Sequence, residues 1–127
     1  MNMEQQKFSW RNRLKSFRFA FNGLYQFFKT THNAIIHAVA TIAAFVLAVF
    51  VHLPLSKFLF VLFAIGIVWM AELFNTAIEK LCDMVHPGPH PQIKFIKDLS
   101  AAAVLIAAFV AVITAFIIFI PAFYDKE

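Results

Sequence analysis

The chain has 127 residues, of which 61% are hydrophobic and only 14% charged. A soluble domain carries about 25% charged residues, so a water-soluble globule is excluded and one membrane-embedded domain is indicated. The net charge of +4 does not point to nucleic acid, because Lys7, Arg11, Arg13, Lys15, Arg18 and Lys29 all precede the first long apolar run.

Residues 1–33 lack the apolar core and small-residue cleavage site of a secretory signal peptide. Residues 7–31 instead read as a basic amphipathic helix. Phe17, Phe21, Leu24 and Phe28 recur at helical spacing, with Arg11, Arg13, Lys15 and Arg18 interleaved. Such a helix lies in the headgroup region, where its cations meet anionic lipid. Three apolar segments follow, at 34–51, 58–80 and 100–120. Each is close to the ~20 residues that cross a hydrocarbon core as a helix. Helices are expected rather than strands, because a helix satisfies its own backbone in lipid. The expected fold is all-α and integral to the membrane: an N-terminal amphipathic surface helix plus three transmembrane helices, in one domain over 1–127. Lysine and arginine placement orients it. The first loop carries only Lys57, whereas the second connection carries Lys80, Lys94 and Lys97. The N-terminus and second connection are therefore expected in the cytoplasm, with the first loop and C-terminus outside.

The second segment runs into VWMAELFNTAIEKLCD, Val68 to Asp83. At about 100° per residue, Asn75 lies about −60° from Glu72, Glu79 about −20° and Asp83 about +20°, so all four share one stripe. Glu72 lies about 22 Å of helix beyond Lys57. That depth is near the cytoplasmic edge of the hydrocarbon core, with Glu79 in the headgroup zone and Asp83 in or near water. Beyond the loop HPGPHPQ, Lys97 and Asp98 stand at about the same depth, and Ala101 to Ala103 allow close helix approach. Carboxylates, an asparagine and a lysine suit phosphoryl transfer. The carboxylates can hold a divalent metal or take a proton, and the lysine neutralises phosphate. Interfacial ion pairs between Glu79 or Asp83 and Lys80, Lys94 or Lys97 are the alternative. An ion path is a third reading, disfavoured because the other two spans hold no acids.

Gly23, Gly66 and Gly88 are the only glycines, so neither GxxxxGK[ST] nor GxGxxG can be written. Cys82 is the only cysteine, which excludes an intrachain disulfide and a CxxC pair. The five histidines form no HExxH, and His86 and His90 flank two prolines, so zinc is not indicated. His37, at the start of the first span, is expected to make a buried hydrogen bond between helices.

Glu72-x-x-Asn75-Thr76-Ala77-Ile78-Glu79-x-x-x-Asp83, then His90, then Lys97-Asp98 leading to Ala101-Ala102-Ala103-Val104, resembles the prokaryotic diacylglycerol kinase and undecaprenol kinase family. Fainter similarity extends from about Ser16 to Ile118. The resemblance implies a homotrimer in the bacterial inner membrane. It implies ATP- and Mg2+-dependent transfer of the γ-phosphate to a lipid hydroxyl, of diacylglycerol to give phosphatidic acid or of undecaprenol to give undecaprenyl phosphate. By position, Glu72 and Asn75 would be catalytic, with Glu72 as base, and Glu72 and Ala101 would meet the lipid. Glu79, His90, Lys97 and Asp98 would bind nucleotide, and Glu79 would hold the metal.

Four positions depart from the family pattern. The second metal-binding glutamate, eight residues after the surface-helix glycine, is Thr31 here. An acidic loop residue is Gly88, an aromatic hydroxyl is Phe19, and an arginine falls at Asn12. Asn33, Ile36 and His37 resemble the undecaprenol kinase branch. A catalytically weak or inactive membrane relative with a structural role is the alternative to the kinase.

Overall fold

The computed structural model describes residues 9–125. Lys7 and Phe8 of the predicted surface helix, and the tail residue Lys126, lie outside them. Four helices follow in chain order: α1 Trp10–Thr30, α2 His32–Phe50, α3 Leu55–Val85 and α4 Pro91–Tyr124. No strand occurs among the described residues. The last three helices are long and apolar enough to cross a membrane, so the chain is an all-α membrane protein with an amphipathic helix ahead of three spans.

One extended residue, Thr31, separates α1 from α2. Its amide still donates to Phe27 O at 3.0 Å, and its carbonyl accepts from Ala34 N at 3.2 Å. Thr31 occupies the N-cap of α2, yet its side chain makes no capping bond. On α1, Phe27 is buried and its ring meets Trp69 of α3 edge-on at 6.1 Å, with Phe28 at 5.5 Å from the same indole.

The end of α2 is closed by backbone bonds alone. His52 N donates to Val49 O and Leu53 N to Ala48 O, with His52 at φ 52. This is a Schellman motif, whose left-handed position is usually glycine. Leu53 then packs back on the core cluster that contains Ala48. Pro54 opens α3 from an extended conformation.

The helices α3 and α4 form an antiparallel hairpin that carries most of the tertiary packing. They have 31 and 34 residues, or about 46 and 51 Å, against a hydrocarbon core of about 30 Å. Both therefore continue past the apolar segments read at 58–80 and 100–120. The joining loop is short because each helix is ended or started by a specific residue. Pro87 follows the last cap of α3, and His90 Nδ1 accepts from Gln92 N at 3.2 Å, with Pro91 in the first turn of α4. Proline there is missing only an N–H that the helix would leave unpaired. The third apolar segment ends at Pro121, but the helix runs on to Tyr124. Pro121 cannot donate, yet its carbonyl still accepts from Asp125 N at 2.9 Å, so one lost bond in the last turn does not stop the helix.

The buried residues of α3 are Val61, Ala64, Val68, Glu72, Asn75 and Cys82. They fall within an arc of about 80°. The polar stripe is thus the continuation of the buried apolar face, and Glu72 and Asn75 enter the interior by the same periodicity as the valines.

Candidate active site

Glu72 is 3% exposed and Asn75 is 9% exposed. A buried carboxylate needs a partner, and α2 supplies one: His37 Nε2 lies 2.7 Å from Glu72 Oε1. One turn further along α2, Thr41 Oγ1 accepts from Trp69 Nε1 at 2.9 Å and donates to His37 O at 2.7 Å. Trp69 and Glu72 are neighbours on one face of α3, as His37 and Thr41 are on α2. The two helices are therefore joined by two adjacent polar rungs.

Asn75 faces α4. Ser100 Oγ lies 2.6 Å from Asn75 Oδ1 and 2.9 Å from Lys97 O. Its single proton serves one acceptor at a time. Asn75 Nδ2 points the other way, to Glu79 Oε1, at a long 3.4 Å. Glu79 itself is exposed. One turn beyond it, Asp83 pairs with Lys97 across the hairpin, and Lys94 pairs with Asp98 along α4. Buried polar groups thus give way to exposed charges along the stripe.

A cavity of about 340 Å³ adjoins the inner end of this stripe. His37, Thr41 and Trp69 line its polar end, and Ala44, Ala64 and Ala111 are among the small residues that leave it open. It lies between α2, α3 and α4.

Residues 18–119 match the family described as prokaryotic diacylglycerol kinase. That range contains every group just described. The chain belongs to the prokaryotic diacylglycerol kinase family. It is similar to the undecaprenol kinase of Bacillus subtilis (strain 168), 34% identical over 107 residues, which are 84% of this chain and 87% of that protein. It is also similar to the diacylglycerol kinase of Synechocystis sp., 35% identical over 111 residues, 87% of this chain but 63% of that protein. The chain is a membrane lipid kinase.

The kinase brings Glu72, Asn75 and Glu79 together on one face of α3. Lys97 stands opposite Asp83, beyond Glu79, in one of the ion pairs the sequence allows. Asp98 faces Lys94. His90 caps α4 and meets His86 edge-to-face with ring centres 5.1 Å apart, while His86 Nδ1 meets Gly88 O at 2.9 Å. Ala101 is exposed on α4, next in sequence to buried Ser100. Thr31 sits at the joint of α1 and α2, and no group of three metal-ligating side chains gathers among the described residues.

Three contacts escape sequence reading. Ser100 as the partner of Asn75 is one, although a lone hydroxyl three residues past Lys97 on a polar edge is a usable signal. The Trp69–Thr41 rung is another. His37 does make the expected interhelical bond, though it is only half-buried itself, and nothing local in the sequence names Glu72 as its partner.

Proposed function

We propose that this lipid kinase moves the γ-phosphate of ATP to the hydroxyl of a membrane lipid, with Glu72 as general base. The observation that carries the reading is a carboxylate only 3% exposed, held beside an apolar cavity by a residue lining that cavity. A structural protein gains little from burying an acid there, because charged groups inside a membrane are costly.

The lipid chain would occupy the slot between α2, α3 and α4, with its hydroxyl at the His37 end. The hydroxyl proton passes to Glu72 as the lipid oxygen bonds to the γ-phosphorus. The bond from that phosphorus to the bridging oxygen breaks, and its electron pair leaves with ADP. Little covalent work falls to the protein, so catalysis is positioning and charge stabilisation. Asn75, fixed through Ser100, orients Glu79. Mg2+ commonly binds through one or two carboxylates, water and substrate phosphates, and a single exposed carboxylate with an amide beside it suits that donor set. When bound there, the ion would neutralise charge on the phosphates. Lys97 and Asp98, with the His90 loop, would flank the nucleotide.

We further propose an inner-membrane protein with the Glu79 end in the cytoplasm, and a homotrimer covering part of the apolar helix faces. An undecaprenol-type alcohol is the favoured substrate. Asn33, Ile36 and His37 resemble the undecaprenol kinase branch, and the Bacillus relative matches over most of both chains. The test is γ-labelled ATP with purified protein in mixed micelles offering undecaprenol, diacylglycerol or no lipid. Label in undecaprenol is expected. Label in diacylglycerol alone overturns the substrate, and label in neither favours the inactive relative.

A further inference from the structure

We propose that His37 is the positioning residue for the base: its Nε2–H donates to Glu72 Oε1 and leaves Oε2 as the oxygen that receives the lipid proton. This rests on the reading of Glu72 as base. Glu72 is too buried for water to orient it, and a free carboxylate turns readily about its last bond. Its two oxygens are then told apart only by a fixed donor. His37 provides one at 2.7 Å from a different helix.

The donor is itself held. Its ring centre lies 6.3 Å from that of Trp69, and the Trp69–Thr41 rung anchors α2 to α3 one turn away. Phe27 and Phe28 of α1 also contact the indole, with ring centres 6.1 and 5.5 Å away. The neighbouring polar groups do not share this work. Asn75 and Ser100 bond each other, and the Asn75 amide reaches toward Glu79. Buried Glu72 and exposed Glu79 therefore each have their own polar neighbour, His37 for Glu72 and Asn75 for Glu79. In the step, the lipid O–H proton arrives on Oε2 while the His37 bond to Oε1 stays made. His37 neither gains nor loses a proton.

The experiment compares His37→Ala, His37→Asn and His37→Gln with Glu72→Gln in the full chain, in micelles containing undecaprenol and, separately, diacylglycerol. A glutamine amide nitrogen reaches the place of imidazole Nε2, and an asparagine amide falls short of it. Ala and Asn are expected to lower kcat about 10- to 100-fold, the scale of a misplaced reacting group, with KM for ATP unchanged. Gln is expected to recover kcat to within about threefold of wild type, by the same positioning argument. Gln no better than Asn, or Ala retaining wild-type kcat, overturns the proposal. An active Glu72→Gln removes the base reading itself, whereas an inactive Glu72→Gln with a fully active His37→Ala removes only the role of His37. A second measurement needs no variant. Nitrogen-15 NMR of histidine-labelled wild-type protein is expected to find Nε2 protonated at His37, and a bare Nε2 overturns the proposal.

Discussion

At one end of the bundle, Ala48 and Val51 of α2 and its cap meet Val61 of α3 and Ile118 and Phe119 of α4 in an apolar cluster. Phe45 and Phe58 add a ring contact at 5.7 Å across α2 and α3. At the other end, the same three helices meet through His37, Glu72, Asn75 and Ser100. The cavity lies between. In lipid, helices gain little hydrophobic free energy from association, so packing has to hold the apolar end. Hydrogen bonds between membrane helices contribute only about 0.6 kcal/mol on average. The polar end is therefore a poor device for stability, and its groups are better explained by what they do. With Glu72 as the proposed base, cohesion and chemistry are divided along the length of the bundle.

The sharpest way to break that division is Glu72→Gln. The amide keeps the shape and can still accept from His37, but it cannot take a proton. Lipid phosphorylation is expected to fall by about 10²- to 10⁴-fold, the usual worth of a general base, with oligomer size and melting temperature little changed. Radiolabel transfer and size-exclusion chromatography check the two halves. Wild-type turnover would remove Glu72 as base. The converse variant is Ile118→Ala at the apolar end. Losing a buried isoleucine to alanine costs about 2–5 kcal/mol in a water-soluble core and less between helices in lipid, where only packing is lost. The melting temperature in detergent is therefore expected to drop modestly while turnover at low temperature stays within about twofold, no catalytic group having moved. A large loss of turnover in the still-folded variant would show that the two ends are coupled.

The same division explains what could be read in advance. In a greasy helix each polar residue is an anomaly, so Glu72, Asn75 and Glu79 stand out at once, and their angles place them on one stripe. The apolar end offers no such contrast. Nearly every residue around Val61 or Ile118 is apolar, so periodicity cannot say which face meets which helix. For this reason the partners Ser100 and Glu72 of Asn75 and His37 were not legible: they depend on the register between helices. The helix ends were obscured differently. Hydropathy marks where lipid ends, while α3 and α4 continue as polar helix through Lys80 and Lys97. Only the caps, His90-Pro91 and the turn at His52, mark where the backbone stops.

Thr31 tests the chemical end more gently. A glutamate there would add a second carboxylate at the position where the family resemblance implies a metal ligand. Metal affinity follows the charge and number of ligands, so Thr31→Glu is expected to lower the Mg2+ concentration for half-maximal turnover by about tenfold. A titration of magnesium at fixed ATP measures it. An unchanged requirement would mean that position 31 does not reach the metal in this kinase.

The smallest effect is expected at the apolar end, at His52. Its φ of 52 is the left-handed conformation that the Schellman cap requires. In that conformation a side chain crowds its own backbone, at a cost of about 1–2 kcal/mol. Glycine removes the clash but gives the unfolded chain more freedom, which offsets part of the gain. His52→Gly is therefore expected to stabilise the protein by less than about 1 kcal/mol, seen as a small rise in melting temperature with turnover unaltered. His52→Ala keeps the Cβ and the clash, so it should show no such gain. If alanine stabilised as much as glycine, the benefit would come from removing the imidazole, and the cap would not be the source of the strain.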